Sequence, residues 1–144
     1  MAVKKGKMIE LTITDLAFGG KGLSRLDGFT IFVDHTAPGD VVLAKIIKKK
    51  KNYAEARIAE ILSPSPLRVS APCMYSGYCG GCKWQFLPYE TQLEHKRKHV
   101  IESLAHIAFL EEIPVHPTIP SPRVFGYRNK MEFSCSDRRW LLPE

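Results

Sequence analysis

The sequence predicts a mainly β chain with one helix, in which a small N-terminal barrel precedes an incomplete α+β region. Three observations carry this. Residues 8 to 62 hold five short apolar-patterned runs separated by Gly and Pro turns. "SPSPLRVSAP" then breaks the pattern as a Pro/Ser-rich connector. Beyond it lies a single long stretch with helical periodicity. The boundaries read as 1–64 for the barrel, 65–87 for the connector and a cysteine-bearing loop, and 88–144 for the helix and the first strand or strands of a truncated second domain.

"MIELTITD" alternates, with Ile9, Leu11 and Ile13 on one face and Glu10, Thr12 and Thr14 on the other. "FGGKG" is a turn that tolerates positive φ, and "GLSRLDGFTIFVD" is a hairpin turning at Asp27-Gly28. "APGD" turns the chain into "VVLAKIIKKKK", and "NYAEARIAEIL" is the fifth strand, its apolar phase slipping between Ile58 and Ala59 as at a bulge. Five strands this short, joined this tightly, predict a small closed barrel of OB or SH3-like type. From Pro88 to about Ala108 the chain predicts a helix with Leu93, Val100, Ile101, Leu104 and Ala108 on its apolar stripe. "IPVHPTIPSPRVFG" must be extended, and "YRNKMEFSCS" alternates as a strand. A single strand cannot satisfy its own ladder groups, so this second region reads as the front part of something larger.

The formal net charge is +6, from 21 basic and 15 acidic residues. Up to Pro64 the balance is 11 basic to 7 acidic, so the surplus leans N-terminal. Such a surplus suits a polyanionic partner such as nucleic acid, though solubility alone would also account for it. No apolar run is long enough to span a membrane, and the N-terminus lacks the apolar core of a secretory signal. The reading is a cytoplasmic protein with reduced thiols, where clustered cysteines favour metal binding or catalysis over disulfides. No signal for an oligomeric state is legible.

"CMYSGYCGGCKWQ" places Cys73, Cys79 and Cys82 within ten positions. Three soft thiolates on a loop suit zinc or an iron–sulfur cluster, and the glycines between them free N–H groups to point at sulfur. Buried structural thiols are a poorer reading beside Gly-Gly. Cys79, Cys82, His95 and His99 also satisfy C2H2 zinc-finger spacing, but the finger's apolar residue falls out of phase and Cys73 goes unused. Outside a finger, the two histidines would be polar residues on the helix face beside Lys96 and Lys98.

Taken together, "LAFGGKGLSRLDGFTIFVDHTAPGDVV" resembles a TRAM domain, a small RNA-binding β-barrel. "CMYSGYCGGCKWQ", "YETQLEHKRKHVIESL" and "YRNKMEF" resemble, in that order, the front part of RNA (uracil-5-)-methyltransferases, nearest the 23S ribosomal enzymes. The resemblance implies a [4Fe-4S] cluster on Cys73, Cys79 and Cys82, with a fourth ligand further along than this sequence reaches. Cys135 does not match that ligand's surroundings and reads as an ordinary strand cysteine. The implied reaction is methyl transfer from S-adenosylmethionine to C5 of uracil. A cysteine thiolate adds to C6, C5 takes the methyl group, and a base then removes the C5 proton. Nucleophile, base and S-adenosylmethionine site belong to a C-terminal Rossmann-like domain, so these residues include no catalytic group and are expected to be inactive alone.

What remains for this chain is RNA positioning, with ribosomal RNA the implied partner. The candidate contacts are Lys21 in the glycine turn, Arg25, the run Lys48, Lys49, Lys50 and Lys51, and Arg128 with Lys130 on the later strand. The amides of Gly19, Gly20 and Gly22 are expected to approach phosphates, and Phe18 and Phe29 either to stack on bases or to pack in the core. The lysine run also reads as a solvated strand end. The cluster's implied role is structural, pinning loop and helix into an RNA-binding surface. Two other classes compete. One is a stand-alone zinc-containing RNA-binding adaptor without activity. The other is a piece of a radical S-adenosylmethionine methylthiotransferase, against which the order of TRAM and cysteines argues.

Overall fold

A computed structural model describes residues 3–130, 132 and 135–137. Six strands and one helix follow in order: β1 (Met8–Thr12), β2 (Asp15–Leu16), β3 (Gly22–Leu26), β4 (Phe29–Asp34), β5 (Val41–Lys49), β6 (Tyr53–Ser63) and α1 (Tyr89–His106). The strands make one sheet in the order β1-β5-β6-β4-β3-β2, antiparallel except where β4 runs parallel to β6. The expected mainly β domain with a single following helix is present, but the sheet is not closed as predicted and has six strands rather than five. The seam between its ends is crossed by the chain itself. Ile13 donates its N–H to Asp40 O and accepts from Gly39, while Thr14 donates to Leu23 O. The extra strand, β2, is only two residues long and forms one edge of the sheet.

The alternation in β1 works as expected: Ile9, Leu11 and Ile13 point into a core completed by Ile31, Val33, Val42, Ala44, Ile46, Ala54 and Ala56. The Asp27-Gly28 turn has φ of 50° and 79°, the double left-handed geometry that matches a two-residue hairpin to sheet twist. The slip in β6 is a bulge. Ala44 pairs with Ile58 and Leu43 with Glu60, which leaves Ala59 as the extra residue.

Beyond β6 the connector is fastened by a buried carboxylate. Asp40 accepts the N–H groups of Ala37 (2.6 Å) and Ser65 (2.8 Å). Arg68 reaches it through Nε (2.8 Å) and Nη2 (2.7 Å) and lies 4.8 Å over the Phe86 ring. Burial alone would raise the Asp40 pKa, but the bonds from Arg68, Ala37 and Ser65 more than offset it and hold it below the usual carboxylate range.

Pro88 precedes α1 as its cap, and Phe109 at φ 55° ends the turn that follows it. The helix does not bury the predicted stripe. Val100 and Ile101 stay 49% and 42% exposed, and the one buried helix residue is His99. The reason is what the helix lies against. Its docking surface is the polar edge strand β2, whose Leu16 carbonyl accepts a hydrogen bond from His99 Nε2 at 2.8 Å. Asp15 of the same strand pairs with Lys98. A wholly apolar face would have left those groups without partners. His95 and His99 are thus docking residues rather than solvent-facing ones. Residues 127–130 of the predicted late strand are exposed and irregular, and among the described residues no neighbouring strand offers them a ladder. Met131, Phe133 and Ser134 of that prediction lie outside the described residues.

Candidate functional site

A second, smaller core of Leu16, Ala37, Phe86 and Leu87, flanked by Trp84, joins the barrel to the cysteine loop. Trp84 Nε1 donates to Gly20 O at 3.1 Å. Any Cβ on Gly20, which sits at φ 94°, would stand 3.1 Å from both Trp84 Nε1 and Lys83 Cβ. Gly20 therefore serves as a socket for the tryptophan. Of the amides expected to cradle phosphate, that of Gly20 already donates to Ala17 O, and Gly22 lies in the β3 ladder. From α1, Gln92 Nε2 donates to the carbonyls of Trp84 and Leu87, both at 3.0 Å.

Cys73, Cys79 and Cys82 are all exposed on one loop. Two of the sulfurs already receive N–H groups, Cys79 Sγ from Gly81 N at 3.4 Å and Cys82 Sγ from Gln85 Nε2 at 3.1 Å. Gln85 Oε1 in turn accepts from Cys73 N at 3.3 Å, so one amide side chain links the first and last cysteine. Three soft thiols with N–H groups aimed at sulfur fit the donor chemistry of an iron–sulfur cluster. Among the described residues no three His, Cys, Asp or Glu side chains converge on a metal-holding point. His99 faces Leu16 O instead of the thiols, which argues against the zinc finger. Cys135 is exposed and not in a strand.

Beside the loop lies a cleft of about 570 Å³. Cys79 and Cys82 line it, together with the cations Lys83, Lys96 and Arg128 and the ring of Trp84. Lys83 and Lys96 were not anticipated, although Lys83 adjoins the last cysteine in sequence. Of the predicted RNA contacts, Arg128 is in this cleft, while Lys130 is exposed nearby in sequence.

The barrel's cations are less free than the sequence suggests. Lys21 Nζ lies 2.7 Å from Glu55 Oε2 and 3.7 Å from Asp34 Oδ1, and Lys48 Nζ lies 3.2 Å from Glu55 Oε1. The bond from Glu55 raises the Lys21 pKa, and the bonds from Lys21 and Lys48 hold Glu55 below its usual range. Lys49 sits 6.0 Å over the Phe29 ring. Arg25, Lys50 and Lys51 are exposed. Phe29 packs against the core, whereas Phe18 is 86% exposed. Sequence reasoning missed Phe32 and Tyr53, stacked edge-on at 5.7 Å. Their signal was faint, because aromatic residues are ordinary in strands.

A family model described as the TRAM domain matches residues 2–59. A Porphyromonas gingivalis protein named an uncharacterized RNA methyltransferase is 44% identical over 134 residues, 93% of this chain and 29% of its own. One of the same name from Chlorobaculum tepidum is 48% identical over 141 residues, 96% of this chain and 29% of its own. The chain thus spans about three tenths of the length of these curated relatives. The solved Pyrococcus abyssi tRNA (uracil-54, C5)-methyltransferase, in complex with S-adenosyl-L-homocysteine, is 34% identical with a TM-score of 0.51. That match covers 83% of this chain and 25% of the other. Among the described residues no helix is long and apolar enough to cross a membrane. A TRAM-domain model thus matches residues 2–59, and over most of its length the chain is similar to proteins named RNA methyltransferases.

Proposed function

We propose that the chain is the RNA-binding and [4Fe-4S]-binding N-terminal portion of an S-adenosylmethionine-dependent methyltransferase that modifies C5 of uridine in cytoplasmic RNA, with 23S ribosomal RNA as substrate. The observation that carries this reading is the cleft in which Cys79 and Cys82 share walls with Lys83, Lys96, Arg128 and Trp84. Cations contact phosphate and an aromatic ring stacks on an unpaired base, and this is the composition of a single-strand RNA groove. Cys73, Cys79 and Cys82 would hold the cluster, which would supply a rigid inorganic tie for the loop that carries them. The chain's own residues bind and orient RNA. Arg128 presents a planar fork suited to phosphate, and Lys83 and Lys96 add point charges. The chain contributes no nucleophile or base and is inactive alone.

The test uses the protein that carries this chain, with RNA tritiated at C5 of uridine. Methylation at C5 must expel that hydrogen, so tritium release dependent on S-adenosylmethionine is expected. Methyl incorporation without tritium release would contradict the C5 assignment. Arg128→Ala combined with Lys96→Ala should weaken RNA binding by about tenfold or more, and unchanged affinity would remove the cleft from the footprint.

A further inference from the structure

A second cavity, of about 240 Å³, opens on the barrel between Phe18, Lys21, Phe32, Tyr53 and Glu55. Its walls follow from the sheet register. Tyr53 and Glu55 are two apart on β6 and share a face, and β4 pairs Phe32 with Glu55 and Thr30 with Tyr53. Phe32 and Tyr53 meet edge-to-face at 5.7 Å, and Phe18 stands 86% exposed at the rim. Three aromatic rings around a small open cavity are a poor use of surface unless something flat is inserted there.

The polar groups are unusual as well. Glu55 is a carboxylate in the middle of the region where the barrel's cations gather, a placement that phosphate contacts alone would penalise. It is held in place from both sides, Oε2 by Lys21 at 2.7 Å and Oε1 by Lys48 at 3.2 Å. Lys21 is held in turn by Asp34 at 3.7 Å. The cavity therefore presents one fixed donor beside one fixed acceptor pair.

We propose that this cavity receives a guanine base of single-stranded RNA, an inference that rests on the chain's being an RNA-binding module. Only guanine's Watson–Crick edge offers a carbonyl acceptor followed by two donors in a row. Lys21 Nζ donates to O6, and the Glu55 carboxylate accepts from N1–H and the N2 amino group. Adenine and cytosine turn a ring-nitrogen lone pair toward the carboxylate. Uracil offers one N–H and then a second carbonyl that repels it. Phe18 and the Phe32–Tyr53 pair supply the stacking surface, which every base can use. The aromatics thus give affinity, and the ion pair gives the choice of base.

The experiment measures binding of the chain to single-stranded oligouridylates that carry one central guanine, adenine, cytosine or inosine, by fluorescence anisotropy at fixed salt. Guanine is expected to bind about tenfold or more tightly than adenine or cytosine, with inosine, which lacks the N2 amino group, in between. Glu55→Gln should abolish the guanine preference while leaving affinity for the adenine-bearing strand unchanged or higher. Phe32→Leu should weaken all four alike. The base series on the unaltered chain needs no variant to fold. Equal affinity for all four strands, or a guanine preference that survives Glu55→Gln, would overturn the pocket while leaving RNA binding intact. Failure to bind any strand would overturn the RNA-binding reading itself.

Discussion

Replacing Arg68 by methionine isolates the interaction that fastens the connector to the barrel. The substitution keeps much of the apolar stem that covers Phe86 but removes the cation from Asp40, whose side chain is fully buried. Two backbone N–H bonds, from Ala37 and Ser65, survive. Two charge-assisted bonds to Asp40 and a third, from Nη2 to His35 O at 2.9 Å, are lost, and a buried carboxylate is left without its counter-charge. Breaking a buried pair from one side costs roughly 3–5 kcal/mol. Arg68 is itself 19% exposed, and water can partly replace it, so the lower end, about 3 kcal/mol, is expected. For a domain of this size that corresponds to a fall of roughly 12–24 °C in Tm. Thermal and urea unfolding followed by circular dichroism measure it. The pH dependence adds a sign. The depressed Asp40 pKa stabilises the native state above about pH 3.9, and that contribution fades as the pH falls through the folded value. In the variant only the two backbone bonds still offset burial, so the Asp40 pKa rises relative to the unaltered protein. The gap between the two proteins should therefore be full at neutral pH and shrink once the carboxyl is protonated in both. A loss below about 1 kcal/mol, or a gap indifferent to pH, would show that Asp40 and Arg68 are not the connector's anchor.

Gly22→Ala would drive a methyl group into Thr36 Oγ1 and to within 2.9 Å of Ile13 Cγ2, so a loss of about 1–3 kcal/mol in urea unfolding is expected, partly recovered by adding Thr36→Ala. The His95 pKa is lowered by burial, its Nδ1 lacks a hydrogen-bond partner, and the ring lies 3.7 Å from Asp15. The unfolded chain thus takes up the proton first, and docking of α1 should weaken as pH drops below about 6.5; faster amide exchange in the helix at pH 5.5 than at 7.5, removed by His95→Gln, would register it. For single-stranded RNA the affinity should fall with salt at a log–log slope of about −0.7 per phosphate contacted. Lys50→Ala and Lys51→Ala should each flatten that slope more than Lys21→Ala or Lys48→Ala, because the latter two already face Glu55.

Local chemistry made much of this structure legible in the sequence. The alternation of Ile9, Leu11 and Ile13, the Asp27-Gly28 turn, the slip at Ala59 and the helix start at Pro88 each depend on residues close in the chain, and each appears where expected. What was illegible depends on partners far away. The helix face was misread because hydrophobic periodicity cannot foresee an edge strand that offers Leu16 O and the Asp15 carboxylate for His99 and Lys98 to meet. Gly20 reads as a phosphate-cradling residue until Trp84, 64 positions later, is seen to donate to its carbonyl. Lys21 looks like a free cation because Glu55 is 34 residues away. The crowding of the cysteines is plain in the sequence, but the part played by Gln85 emerges only when its amide is found bridging Cys73 and Cys82.

Iron content tests the account most directly, because the cysteine loop is what joins the barrel to the cleft. The protein that carries this chain, purified without oxygen, should be brown and hold about four irons with matching acid-labile sulfide per chain. Cys82→Ser should lose that iron and RNA affinity together. One zinc per chain without colour, or no metal at all with RNA binding undiminished, would contradict it and favour an adaptor that needs no cluster.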